Sequence, residues 1–276
     1  MLVKSLFIPA ALFIVACSND EPSDAAHCSA DGVRVSGIVA TGGEAGDTAA
    51  NRSLFFPANL SVTPRPGINS VFNVIALTLL PSTGGADVYA AVRNDGAILA
   101  CNASFSVELH DKDDQIVGSS ISGLVTRGFY RFTDGSGTVA GCVAPGELTM
   151  IAIREIALYA PFENVLSAVY QSNYWGDLKV TPTDGVSLTN VKPVSRSAGI
   201  AYTGELVNGL DTELSSPTVA VFPLNAVGRP LSVAYGATSG VLTPCGKWEF
   251  ETSAVSEPQA GVAFDAYPMG GPSATQ

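Results

Sequence analysis

From Leu54 onward the chain is a succession of short apolar or alternating runs cut by turn residues, and this pattern constrains its fold most. Val88–Arg93, Phe105–Leu109, Leu148–Ile153, Leu178–Val180, Ile200–Val207, Val219–Phe222 and Trp248–Phe250 are the clearest runs. Side chains of a strand alternate between two faces, and these runs have that length and character. Gly, Pro, Asn, Asp and Ser stand between them, the residues that set turns. Only Pro161–Tyr170 offers a modest helix. The pattern predicts an all-β protein built as sandwich or barrel. Charged residues make up 14% of the chain, well under the usual quarter, and a composition rich in Val, Thr, Ser and Gly favours strands and turns.

An internal repeat is the second constraint. A shift of 114 residues lays Val74–Val117 over Leu188–Leu231 without a gap. Three identities fall in those 44 pairs, Gly85/Gly199, Asn94/Asn208 and Val107/Val221, which is near chance. The case for the repeat is the shared order of strand, Asn turn, polar crossing, alternating strand and apolar strand. Farther on, Val143-Ala144-Pro145-Gly146 has its counterpart in Leu242-Thr243-Pro244-Cys245-Gly246. Aligning these places about fifteen extra residues in the first copy, around Gly128 to Thr138, on the logic of structural repeats.

Several motifs of the first copy carry a family resemblance. Ala91-Val92-Arg93-Asn94-Asp95-Gly96 looks like a strand ending in an Asn-x-Gly turn, followed by Val107-Glu108-Leu109-His110-Asp111 and Lys112-Asp113-Asp114-Gln115-Ile116-Val117-Gly118. With Pro145-Gly146-Glu147 before the last strand, they resemble the FxLYD-type domain of envelope proteins, with Val for its Phe and His for its Tyr. The second copy keeps Gly204-Glu205-Leu206-Val207-Asn208 and Pro244-Cys245-Gly246, and has Val221-Phe222-Pro223-Leu224-Asn225 at the naming motif. The resemblance implies tandem small immunoglobulin-like β-sandwich domains, and its turn-and-strand motifs bring no catalytic residues.

The N-terminus speaks to compartment. Met1 to Ala16 has one charge, Lys4, and an apolar run from Leu6 to Val15, too short to span a bilayer. It has the shape of an export signal. Ile14-Val15-Ala16-Cys17 resembles the lipobox of bacterial lipoproteins. That resemblance implies cleavage before Cys17, a diacylglycerol on its thiol and palmitate-type acylation, since stable anchoring takes more than one chain. Ser18 after the Cys implies the outer membrane if the host is Gram-negative. The expected layout is signal 1–16, lipidated N-terminus and tether 17–53, first sandwich 54–165, second sandwich 166–268 and a flexible tail 269–276.

Charge and cysteines narrow the partners. The formal net charge of −11 repels phosphate backbones, so nucleic acid is not expected as a partner. Besides Cys17 there are four cysteines, Cys28, Cys101, Cys142 and Cys245. An even number in an oxidising compartment predicts two disulfides, with three pairings open. The repeat sets Cys101 against Ser215, and Cys142 within a few residues of the position matched by Cys245. If Cys101 and Cys142 are neighbours, the second copy has lost half of that bridge, and Cys245 would pair with Cys28.

Chemistry is sparse. Of two His, His27 falls in the tether and His110 in a strand, where Asp111 points to the opposite face. No Gly-x-Ser-x-Gly elbow is present. Asp111, Asp113 and Asp114 lack EF-hand spacing and read as a solvated hairpin turn. No metal, no cofactor and no enzymatic activity is expected. Two aromatic groups are the candidate partner-binding residues: Phe129, Tyr130 and Phe132 in the extra segment, and Tyr174 and Trp175 before the second domain. The expected function is a lipid-anchored cell-envelope protein with a non-catalytic binding or structural role. The alternatives are a carbohydrate- or peptidoglycan-binding module using the aromatic loops, and an envelope hydrolase with an unrecognised site.

Overall fold

The computed structural model describes residues 35–38, 60–66, 71–123, 128–134, 138–176, 178–182, 185–226, 228–256, 261 and 263–272. The leader, Cys17, His27, Cys28 and the glycine-rich stretch 41–50 lie outside the described residues. The protein is an all-β structure of two similar units.

Unit one holds β2 (Ser61–Pro64), β3 (Phe72–Ser82), β4 (Gly85–Asn94), β5 (Ala100–His110), β6 (Ile116–Gly123), β7 (Gly128–Phe132), β8 (Thr138–Val143), β9 (Leu148–Ala157), β10 (Ser167–Trp175) and β11 (Val180–Pro182). Unit two holds β12 (Val186–Arg196), β13 (Gly199–Asn208), β14 (Leu214–Leu224), β15 (Ala234–Ala237), β16 (Val241–Leu242), β17 (Lys247–Glu251) and β18 (Ala263–Pro272). It also recruits β1 (Val35–Ile38), which pairs antiparallel with β18. In unit one the sheet β3-β4-β9 faces a larger sheet centred on β5 and β10; in unit two β12-β13-β17 faces a sheet centred on β14 and β18.

The repeat is present strand for strand. β12, β13 and β14 begin and end 114 residues after β3, β4 and β5, as 186 follows 72 and 224 follows 110. The register agrees: Val107 opposes Ser120, and Val221 opposes Ala234. Beyond the extra segment the shift falls to 99, since Val92 opposes Thr149 while Leu206 opposes Trp248. The difference is the fifteen-residue insertion, which supplies β7 and the start of β8.

The identities sit where substitution is hardest. Asn94 and Asn208 are fully buried at matching turns. A side chain on Gly85 would meet the Ile156 carbonyl oxygen at 2.0 Å, and one on Gly199 the Val255 oxygen at 2.0 Å. Val107 and Val221 lie in the two cores. Elsewhere only apolar character and size matter, so identity decays while the fold persists.

Each unit closes around its own core. Phe105 stacks on Tyr170 at 5.1 Å among Leu79, Val88 and Ile151 in unit one. Tyr202 leans on Phe264 at 5.2 Å among Leu188, Leu206 and Val221 in unit two. A third cluster joins the units, with Leu80, Tyr89, Ala91 and Met150 from one against Phe222, Leu224, Val233 and Tyr267 from the other. Strand alternation makes this possible, because β4 turns Val88, Ala90 and Val92 inward and Tyr89 and Ala91 outward. Arg229 donates from Nη1 to the Leu77 carbonyl at 2.9 Å, and Thr78 Oγ1 donates to the Pro230 carbonyl, fixing the seam's polar edge.

Four expectations differ from the structure. Pro161–Tyr170 is not a helix: Phe162–Asn164 makes one 3-10 turn and β10 follows, with Ala168 and Tyr170 turned to the core. The boundary at 165/166 falls before β10, which pairs along its length with β5, so unit one runs to β11. The span 17–53 is not all tether, because Val35–Ile38 is a strand of unit two's sheet. Residues 269–272 belong to β18, where Met269 opposes Thr218 and Pro272 opposes Leu214.

Candidate binding surfaces

Cys101 and Cys142 are directly opposed across β5 and β8, with Cα atoms 3.8 Å apart, and form a disulfide that is fully buried. Their positions in unit two are Ser215 and Val241, also directly opposed. The second copy therefore lacks both halves of that bridge, not one. Cys245 stands instead at the position of Gly146, where both residues take positive φ, 58° and 77°. Their amides bond the carbonyls of Asn208 and Asn94 in the same way. Cys245 is disulfide-bonded, and its expected partner Cys28 lies outside the described residues.

His110 closes β5 and is 8% exposed. Its Nδ1 lies 2.9 Å from the Asp114 carboxylate, across its own hairpin, and Nε2 lies 3.6 Å from Glu108. Glu108 is ion-paired to Arg65, which also donates to Gln171. Asp111 accepts from the amides of Gln115 and Asp113 at 3.0 and 2.9 Å, and these bonds hold its carboxyl below the usual range. The acidic trio is thus a hairpin turn capped by Asp111. Among the described residues, no group of three or more His, Cys, Asp or Glu is placed to hold a metal ion.

The aromatic candidates separate. The β7 strand that carries Phe129, Tyr130 and Phe132 pairs on one side with β8 and on the other with β11. Because β11 is the last strand before unit two, the insertion clasps the end of unit one that leads into it by backbone bonds; Thr133 N–H donates to the Lys179 carbonyl at 2.9 Å. Tyr130 and Phe132 are half-buried, and burial raises the Tyr130 phenol. Tyr174 packs edge-on against Phe72 at 6.3 Å, in the margin of the core. Trp175, the next residue, is 56% exposed at the end of β10.

A site not foreseen lies on the outer face of β12-β13-β17. It is an open groove of about 480 Å³ lined by Asn190, Lys192, Thr203, Glu205, Glu249 and Glu251. Lys247 pairs with Glu205 at 3.1 Å. Arg196 grips Glu251 through two bonds of 2.8 Å and holds its carboxyl below the usual range. The sequence signal was present in the repeat: Glu205 aligns with Ala91, and Glu249 with Met150. No family model matches the chain, and no curated protein matches it.

Proposed function

We propose that the protein is a lipid-anchored component of a bacterial cell envelope, of FxLYD-type architecture, with a non-catalytic binding or structural role. The observation that carries this reading is the buried Cys101–Cys142 bridge, beside a disulfide-bonded Cys245. Structural disulfides persist in oxidising compartments, which is where the leader and the lipobox-like Ile14-Val15-Ala16-Cys17 would deliver the chain. The architecture supports the spacer side of the role, because two units joined by a buried seam, with the segment that leads from one to the other paired into the β7 hairpin, hold a fixed length. His110 and Asp111, which bring the most chemistry, are committed to the β5–β6 hairpin.

Mass spectrometry of the mature protein from its native membrane, with and without reduction, tests the reading. A lipid-modified Cys17 as first residue, with a gain of two hydrogens per bridge on reduction, is expected. An unlipidated chain beginning elsewhere, or free thiols throughout, would overturn it. One observation favours a second reading as a glycan-binding module: Trp175 presents its ring to solvent at the end of β10. Aromatic faces stack on sugars at low entropic cost. Glycan-array binding that disappears in Trp175→Ala would establish that reading.

A further inference from the structure

The seam between the units is a head-to-tail contact. Unit one offers the outer face of β3-β4-β9, and unit two inserts the outer face of β14-β15-β18. Because the units share one fold, each of these faces exists a second time, on the side of its unit turned away from the seam. On unit two, the counterpart of the receiving face is the outer face of β12-β13-β17. There Lys192 replaces Thr78, Thr203 replaces Tyr89, Glu205 replaces Ala91, Glu249 replaces Met150 and Glu251 replaces Ala152. On unit one, the counterpart of the inserting face is the outer face of β5-β6-β10. There Ser106 replaces Ala220, Glu108 replaces Phe222, His110 replaces Leu224 and Gln171 replaces Tyr267. Ile121, at the place of Tyr235, and Ile116, at the place of Pro230, keep exposed apolar side chains, 62% and 49% accessible, and Val169 stands where the seam has Asp265.

We infer that these two polar faces are terminators: a second copy of this chain is the partner their geometry would take, and their charges turn it away. A heterologous contact that does not close generates open filaments. Repeat arrays avoid this with end units whose outer faces are polar. At one end a docking copy would cover Glu249, where Met150 is fully buried in the working seam. It would also cover the Lys247–Glu205 and Arg196–Glu251 pairs. At the other end it would bury the part-exposed Arg65–Glu108 pair, which lies beside the already buried His110. Burying such charges against the apolar surface of the partner is strongly unfavourable. The groove on β12-β13-β17 is, on this account, the docking site of a third unit, closed by charge. The inference does not depend on the lipid anchor.

Sedimentation velocity tests it on the intact exported chain and two variants. The unmodified chain should stay monomeric across concentrations. The first variant, Glu205→Ala/Glu249→Met/Glu251→Ala, restores a receiving face; the second, Glu108→Phe/His110→Leu/Gln171→Tyr, restores an inserting face. Mixed one to one, they should form a complex of twice the mass, in preference to self-association of either. Growing head-to-tail oligomers of the unmodified chain would overturn the inference. So would a mixture that stays monomeric while both variants keep the native circular dichroism. Where a triple variant loses its native spectrum, the pair Glu249→Met and Glu108→Phe decides, through a shift of the mixture toward the doubled mass or none.

Discussion

Asn94 and Asn208, 114 positions apart, make the same three hydrogen bonds in the two units. Asn94 Nδ2 donates to the carbonyls of Ile98 and Val143, both at 2.9 Å, and Oδ1 accepts from the Gly96 amide. Asn208 Nδ2 donates to Thr212 and Leu242, both at 2.9 Å, and Oδ1 accepts from Leu210. Each Asn ties the start of the central strand to the strand that returns beside it, and so fixes the crossing between the two sheets of its unit.

Replacing Asn94 with Ala removes these three bonds, and replacing Asn208 removes four, since its Nδ2 also donates to the Thr243 carbonyl at 3.2 Å; either change leaves buried carbonyls without a donor. Each orphaned group costs about 1–3 kcal/mol, so Asn94→Ala and Asn208→Ala should each destabilise by about 3 kcal/mol. Urea denaturation followed by circular dichroism reads this directly. A loss under about 1 kcal/mol in both variants would show that the turns do not depend on these side chains.

Gly85→Ala and Gly199→Ala should be as damaging, for steric rather than polar reasons. The added methyl would stand 2.0 Å from a backbone oxygen at both sites, that of Ile156 in β9 and that of Val255, which bridges to Ile200. That backbone must move to admit it, and overpacking of this kind costs about 1–3 kcal/mol. At Gly199 the φ of 129° adds a conformational cost that side chains rarely bear, so Gly199→Ala should melt lower than Gly85→Ala. Thermal melting of the two variants in parallel checks the order.

Much of this is legible in the sequence, and its limits have physical causes. The strands showed because alternation and turn residues are local signals, as in Val88–Arg93 and Ile200–Val207. The repeat showed through Gly85/Gly199, Asn94/Asn208 and Val107/Val221, because only a forced approach, a buried network or a core position holds identity. The strand β10 does not show in the sequence because Val165 to Tyr170 has no strict alternation, and nothing local reveals that Tyr170 stacks on Phe105. The seam was hidden because Tyr89 and Met150 look like core in any unit; their role emerges only against Thr203 and Glu249. The polar groove was missed for the same reason, since Glu205 and Glu249 become neighbours across β13 and β17 only once register is known.

The missing bridge of unit two can be restored. Ser215 and Val241 oppose each other as Cys101 and Cys142 do. Ser215→Cys/Val241→Cys should therefore oxidise without displacing the backbone, and mass spectrometry should find one additional bridge. Closing a loop of this size contributes roughly 3 kcal/mol in the chain-entropy account. A double variant that keeps both new thiols free under oxidising conditions would show that β14 and β16 are not registered in this way.

Alkaline pH should loosen the protein through two buried phenols. Burial raises the pKa of Tyr89 and Tyr202 far above the ordinary value, and the Asp87 carboxylate, which accepts from Tyr89 Oη at 3.0 Å, adds to the effect at Tyr89. In the unfolded chain both titrate near pH 10. The native state therefore holds more protons than the unfolded state above that pH. The stability these groups contribute is complete below pH 10 and is lost as pH rises toward their folded values, by about 1.4 kcal/mol per pH unit for each phenol. Tyr89→Phe removes the seam phenol and Tyr202→Phe the one in the core of unit two. Each variant should show a shallower loss of stability above pH 10, by about one phenol's slope. Denaturant midpoints across that range check this; a wild-type slope retained in both variants would place the titrating groups elsewhere.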